Sequence, residues 1–202
     1  MLTYYKNRIF YPWMAKSIST DEVMRLRSAV VSLAVGDVLE IGYGTGLNLG
    51  LYSPAVRSLT GIDTPIPPST LQAANGIRPV LLDMSAEKMD FADGSFDNVV
   101  STFTLCSIPD LAAALREVYR VLKPGGRFFF LEHGRSWDKL MAAVQFLSNP
   151  IYWLTGCGCR VTRDYQPLVV RQGFILEKCE RIRLKSLPIA GYLYSGRAVK
   201  PG

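Results

Sequence analysis

The sequence predicts an α/β domain built on a doubly wound, mostly parallel sheet of seven strands that ends in an antiparallel hairpin. Three observations carry this expectation. Short β-branched runs alternate with helical segments from about residue 36, and a glycine-rich turn directly follows the first run. The last two runs then follow one another with no helix between them.

Strands are expected over residues 37–41, 55–62, 78–82 and 96–101. A helix over residues 111–122 comes next, where Leu111, Leu115, Val118, Val121 and Leu122 keep the i, i+3, i+4 spacing of one face. Pro124-Gly125-Gly126 stops it, and Arg127-Phe128-Phe129-Phe130-Leu131 is a fifth strand, apolar enough to be buried on both faces. The runs 174–184 and 191–199 are separated only by residues 185–190, too few for a crossover, so they should pair as a hairpin. Strands joined by helical crossovers imply helices on both faces of the sheet.

With 202 residues, 49% of them apolar and 20% charged, the chain has room for one well-cored domain and no compositional sign of disorder. The net charge is +6, but the basic residues are scattered and form no run of five, which argues against a nucleic-acid partner. Four cysteines and one histidine offer no paired Cys-x-x-Cys and His spacing, so no metal site is expected. The cysteines are also too few for a disulfide scaffold, and a reducing, cytoplasmic location is the default. The first 19 residues lack a continuous apolar run and a small-residue cleavage site, so no secretory signal is expected.

Residues 140–159 carry no charge and are nearly long enough to span a bilayer. Gln145, Ser148, Asn149, Pro150, Thr155 and two glycines interrupt them, and Asn149-Pro150 should break a helix. A buried helix followed by an apolar loop is therefore expected rather than a span. A second apolar region mixes Tyr4, Tyr5, Ile9, Phe10, Trp13, Met14 and Ile18 with basic residues. It reads as a helix packed on the core, a lid over an apolar acceptor, or a peripheral membrane contact.

The strongest local signal is Val38-Leu39-Glu40-Ile41-Gly42-Tyr43-Gly44-Thr45-Gly46. Glycines just past a strand let the chain turn tightly into a helix and let a ligand approach the backbone. A pyrophosphate fingerprint needs glycine at Leu47 or Leu49, and a P-loop needs Gly-Lys-Ser/Thr; both are missing, which disfavours a nicotinamide-dependent oxidoreductase and a nucleoside triphosphatase. What remains places a carboxylate, Glu40, where a cationic ligand is welcome. Asp63 ends the second strand, 21 positions after Gly42, near the offset at which an acid reaches ribose hydroxyls. Together these point to a nucleoside carrying a positively charged amino-acid tail.

The segments VLEIGYGTGLNL, GID, AEKMDFADGSFDNVVS and VLKPGGRFFFLEHG resemble the class I S-adenosylmethionine-dependent methyltransferases, in the branch of the ubiquinone and menaquinone C-methyltransferases. The resemblance implies a Rossmann-like fold and S-adenosyl-L-methionine as cofactor. It implies that Gly42, Gly44 and Gly46 hold the methionine part and Asp63 the ribose hydroxyls, with Glu40, Tyr43, Asn48 and Thr64 also among the cofactor-binding residues. Ser85, Ala86 and Glu87 would lie along the adenine, with Thr102 and Phe103 completing the site. Ser85 stands where many relatives have Asp, and Tyr43 where a small residue is commoner; Tyr43 either crowds the cofactor or points to solvent. A narrower likeness, carried by Thr104-Leu105-Cys106-Ser107, Leu131-Glu132-His133, Gly156-Cys157, Thr162-Arg163-Asp164 and Gly173-Phe174, is to the small thiol methyltransferases. The chain then divides into an N-terminal helical lid (1–35), a cofactor-binding core (36–135) and an acceptor-side helix and loop with the hairpin (136–202).

In an open α/β sheet the ligand crevice lies beyond the carboxyl ends of the strands, so Thr102, Phe103, Cys106 and His133 should face it. His133 either removes a proton from an acceptor or hydrogen-bonds a nearby loop. Cys106, Cys157 and Cys159 are expected to pack. The acceptor is expected to be a small apolar thiol, phenol or quinol. A phospholipid methyltransferase and a catalytically silent cofactor-binding module are the alternatives, and nothing in the sequence fixes an oligomeric state.

Overall fold

A computed structural model of the chain describes residues 19–64, 75–155 and 158–202. The aromatic N-terminal segment and Cys157 lie outside these residues. Helix α1 (Asp21–Val31) starts at Thr20, whose hydroxyl accepts from the Val23 N–H, with Asp21 and Glu22 in the first turn where the helix dipole favours acids. Strands β1 (Gly36–Ile41), β2 (Val56–Asp63), β3 (Val80–Asp83) and β4 (Phe96–Thr102) follow. Helix α2 (Leu111–Val121) is capped by the Asp110 carboxylate, which accepts from the Ala113 N–H at 2.9 Å. Strand β5 (Leu122–His133), helices α3 (Lys139–Thr155) and α4 (Tyr165–Arg171), and strands β6 (Ile175–Arg183) and β7 (Tyr192–Val199) complete the chain.

The sheet order is β3-β2-β1-β4-β5-β7-β6. β1 pairs parallel with β2 and β4, β2 with β3, and β4 with β5, while β7 is antiparallel to both β5 and β6. The expected parallel sheet and closing hairpin are present. β5 shows why its triple phenylalanine is needed. Phe128 and Phe130 enter one core with α2 and α4, while Phe129 and Leu131 enter the other with α1. The period of two thus feeds both faces of a central strand.

Two expectations about helices need correction. Among the described residues, the β4–β5 connection is the one crossover between parallel strands that carries an α-helix; the chain passes from β1 to β2 through a single 3-10 turn, Leu49–Leu51. Pro150 does not break α3, which continues to Thr155. The proline lies near the helix end on an exposed position, where the carbonyl it leaves unpaired is open to water. Nor is α3 buried: Leu140, Phe146, Leu147, Ile151 and Leu154 are exposed, although Gln145 on the opposite side is fully buried and bonds to the backbone of Gly134, Ser136 and Ile189. No helix among the described residues is long and apolar enough to cross a membrane.

Candidate functional site

Strand order reverses between β1 and β4, and at that switch point a cavity of about 470 Å³ opens beyond the carboxyl ends of β1, β2 and β4. Gly42 and Gly44 form its backbone wall at positive φ, +73° and +55°. At Gly44 a side chain would meet nothing nearer than the Gly42 carbonyl at 3.9 Å, so this backbone is open to a ligand. The Asp63 carboxylate ties the wall down, accepting from the N–H groups of Gly44 and Thr64 at 2.8 Å each. Burial pushes its pKa up from the ordinary carboxylate value, and those two bonds oppose the rise.

Glu40 is fully buried at the cavity floor. Asn48 donates to one of its oxygens and the Tyr52 hydroxyl to the other, both at 2.8 Å. Burial outweighs these bonds and pushes its pKa up to about 7. The Asn48 carbonyl oxygen accepts from Arg27 at 3.0 Å, and the Arg27 guanidinium also donates to Thr102 Oγ1 at 2.5 Å. Arg27 lies 3% exposed, with its pKa brought down to about 10 by burial, and its Nε has no partner among the described residues. Sequence reasoning counted Arg27 only as a scattered base. It comes from α1, 75 positions from Thr102, and no motif marks it.

Of the site residues expected from sequence, all but Gly46, Cys106 and His133 line the cavity. Tyr43 does not point to solvent: it lines the cavity while its side chain is buried in the α1-side core. A side chain at Gly61 would meet the Tyr43 ring at 2.7 Å, and one at Gly46 would meet its hydroxyl at 2.9 Å. Two close-packed glycines therefore make room for this tyrosine beneath the loop. Ser85 accepts from the Glu87 N–H at 3.2 Å, and Glu87 in turn accepts from the Asp110 N–H, so this edge is held to the start of α2.

The far end of the cavity is built on Glu132. Its side chain, 0% exposed, accepts from Ser101 Oγ and from the N–H groups of Thr104, Leu105 and Cys106 at 2.8–3.2 Å. Burial pushes its pKa up against the pull of these four bonds. An acid directly after the apolar run Phe128 to Leu131, still within the buried strand, was the signal that could have found it. Arg163 clamps the same turn, donating to the carbonyls of Leu105 and Ile108. Phe103 holds φ at +55°, a conformation bulky residues rarely adopt. Its ring lies 4.8 Å from the Arg27 guanidinium carbon on one side and 4.8 Å from the His133 ring on the other.

His133 thus sits one ring behind the cavity wall. Its Nδ1 lies 3.9 Å from Cys106 Sγ and 3.8 Å from Cys159 Sγ, and its Nε2 is buried without a partner among the described residues. The Cys106 thiol is held well above its usual range, first by the neighbouring Cys159 thiol and then by burial. Spacing along the chain gave no hint that these three side chains meet.

Residues 39–130 match the methyltransferase domain family. The chain is 34% identical over 181 residues to a phosphatidylethanolamine N-methyltransferase of Cereibacter sphaeroides, covering 83% of this chain and 87% of that protein. The chain belongs to the class I S-adenosylmethionine-dependent methyltransferases. It is also 35% identical over 158 residues to the human thiol S-methyltransferase TMT1A, covering 72% of this chain and 63% of that protein, so it spans somewhat under two thirds of that relative's length. A quinone-biosynthesis C-methyltransferase of Geotalea daltonii matches a shorter stretch, 33% identical over 48% of this chain and 45% of its own. Among solved structures, a methyltransferase of Thermotoga maritima shares the fold with a TM-score of 0.70 at 19% identity, covering 99% of this chain and all of the other. The cofactor of this methyltransferase is S-adenosyl-L-methionine, and the cavity fits it. An open glycine backbone, two carboxylates and a guanidinium with a spare donor match a nucleoside bearing a zwitterionic, sulfonium-containing tail.

Proposed function

We propose that this methyltransferase acts on a small apolar acceptor, a thiol or else a phenol or quinol. The observation that carries this reading is the composition of the far end of the cavity. Phe103 and Ile108 line it, and behind Phe103 the His133 imidazole presents a buried, unpartnered Nε2. Asp63 would hold the ribose of the bound cofactor and Gly42 and Gly44 its methionine backbone. The Glu40 carboxyl and the Arg27 guanidinium would bind the amino-acid tail, and Ser85, Ala86 and Glu87 would lie where the base rests. The sulfonium supplies an activated methyl group. The protein's task is then to align the acceptor, exclude water and, where needed, take up its proton. His133 is the proposed base, with Phe103 setting its distance from the acceptor. The test is labelled-methyl transfer to aliphatic and aryl thiols, phenols, quinols, phospholipids and RNA side by side. Transfer to thiols, phenols or quinols supports the reading; transfer only to RNA or to charged metabolites overturns it.

A second reading, methylation of a membrane phospholipid, is favoured by one specific observation. The exposed face of α3 presents Leu140, Leu147, Ile151 and Leu154 at helical spacing, beside Phe146 and Trp153. Such a face suits peripheral contact with a bilayer. Selective transfer to vesicle phospholipid in the same panel would favour this alternative over the thiol.

A further inference from the structure

We propose that Cys106, His133 and Cys159 form a binding site for a thiophilic metal ion of the Zn²⁺ class. The three side chains come from separate segments: the turn after β4, the end of β5 and the loop before α4. Their donor atoms lie within 4.8 Å of one another, with Nδ1 at 3.8 and 3.9 Å from the two sulfurs. A tetrahedral zinc with Zn–S of about 2.3 Å and Zn–N of about 2.0 Å spaces such atoms about 3.5–3.8 Å apart. The two Nδ1–Sγ distances need to shorten by a few tenths of an ångström, and the set, which spans up to 4.8 Å, by up to about 1 Å between the sulfurs to hold an ion.

Hydrogen bonding alone explains the convergence poorly. One ring nitrogen carries one lone pair or one proton, yet it faces two thiols, each near the outer limit for a sulfur contact. The surroundings are preorganised. The Arg160 N–H donates to the Cys106 carbonyl at 2.9 Å, tying the two cysteine segments together. Glu132 fixes the Cys106 backbone from behind. Val161, Tyr152 and Ile189 close the cluster with apolar surface, which excludes water and favours soft ligands.

When the ion binds, two Sγ–metal bonds and one Nδ1–metal bond form, and the two thiol protons leave to solvent; no electron is transferred. The ring proton then resides on Nε2, so His133 serves as the proposed base only in the metal-free protein, and a fourth metal position stays open to water or a sulfur ligand. Ser107, whose Oγ lies 3.7 Å from Cys106 Sγ, lines the cavity, so the site sits one side chain behind the acceptor space. The inference does not depend on the acceptor, because metal binding is read without turnover.

The test is titration of Co²⁺ into the reduced, metal-stripped full chain, followed by visible absorption and by metal analysis. We expect one ion per chain, a thiolate-to-cobalt charge-transfer band, tetrahedral d–d bands and displacement by Zn²⁺. Cys159→Ser should weaken binding about tenfold or more and shrink the charge-transfer band, as should Cys106→Ser and His133→Asn. Cys179→Ser should bind like wild type. Binding without a thiolate band, or a band unchanged in Cys159→Ser, overturns the proposal. So does failure of the folded, fully reduced wild type to take up Co²⁺ or Zn²⁺, or recovery of the chain with a Cys106–Cys159 disulfide and no affinity for either ion after reduction.

Discussion

Replacing Gly44 by alanine separates folding from cofactor binding. The new methyl group would meet no protein atom nearer than 3.9 Å, so the free protein suffers no overlap. Its only penalty is the positive φ of +55°, worth about 1–2 kcal/mol for a residue with a Cβ. At this chain length such a loss lowers Tm by roughly 2–8 °C. The same methyl projects into the cavity at the point of closest backbone approach. Overpacking of that kind costs about 1–3 kcal/mol, or roughly 5- to 150-fold in affinity. Gly42→Ala is the contrasting variant. Its Cβ would overlap the Thr104 side chain, so stability should fall further than for Gly44→Ala. Differential scanning fluorimetry and calorimetry with S-adenosylhomocysteine read the two quantities separately. A folded Gly44→Ala protein that binds within twofold of wild type would falsify the placement of the ligand against this loop.

Three further perturbations probe the buried polar groups. Glu40 is neutral in the folded chain up to about pH 7, whereas its ordinary value is 4.5. It therefore contributes stability below about pH 4.5 that is lost as pH rises through 7, of order 3 kcal/mol; Glu40→Gln, which mimics the neutral form, should flatten that part of the urea-midpoint profile between pH 5 and 8, and an unchanged profile contradicts the burial argument. Glu132→Gln turns one acceptor oxygen into a donor facing backbone N–H groups, so unfolding free energy should drop by about 2–4 kcal/mol; a change under about 0.5 kcal/mol refutes its role in holding the 104–106 turn. His133→Gln should reduce thiol methylation mainly near neutral pH, with the deficit narrowing in alkali as the acceptor ionises unaided; a deficit independent of pH removes the base assignment.

The strands and the glycine loop were legible because their signals are local. β1, β4 and the β6–β7 hairpin are short periodic runs bounded by turn residues, and Asp63 falls at a fixed offset from Gly42. The parts that were not legible depend on distant neighbours. Arg27 becomes part of the cavity only because α1 packs against β5 and β7, and Tyr43 is buried only because Gly61 of the next strand leaves it room. Pro150 misled because the rule against proline assumes a helix interior that must satisfy every carbonyl, and this one is exposed. The Cys106–His133–Cys159 cluster draws on segments 26 and 27 residues apart, a spacing that matches no metal motif.

Calorimetry of S-adenosylmethionine and S-adenosylhomocysteine with wild type and Asp63→Ala tests the central claim most directly. The claim is that the cavity between β1, β2 and β4 is the cofactor site and that Asp63 anchors both loop and ligand. Asp63 holds the Gly44 and Thr64 N–H groups and faces the proposed ribose position, so its loss removes charge-assisted bonds worth about 1.5–3 kcal/mol. The account predicts one site per chain with micromolar-range affinity, weakened about 10- to 150-fold in a folded Asp63→Ala protein. Absence of binding heat in wild type, or equal affinity in the variant, contradicts it.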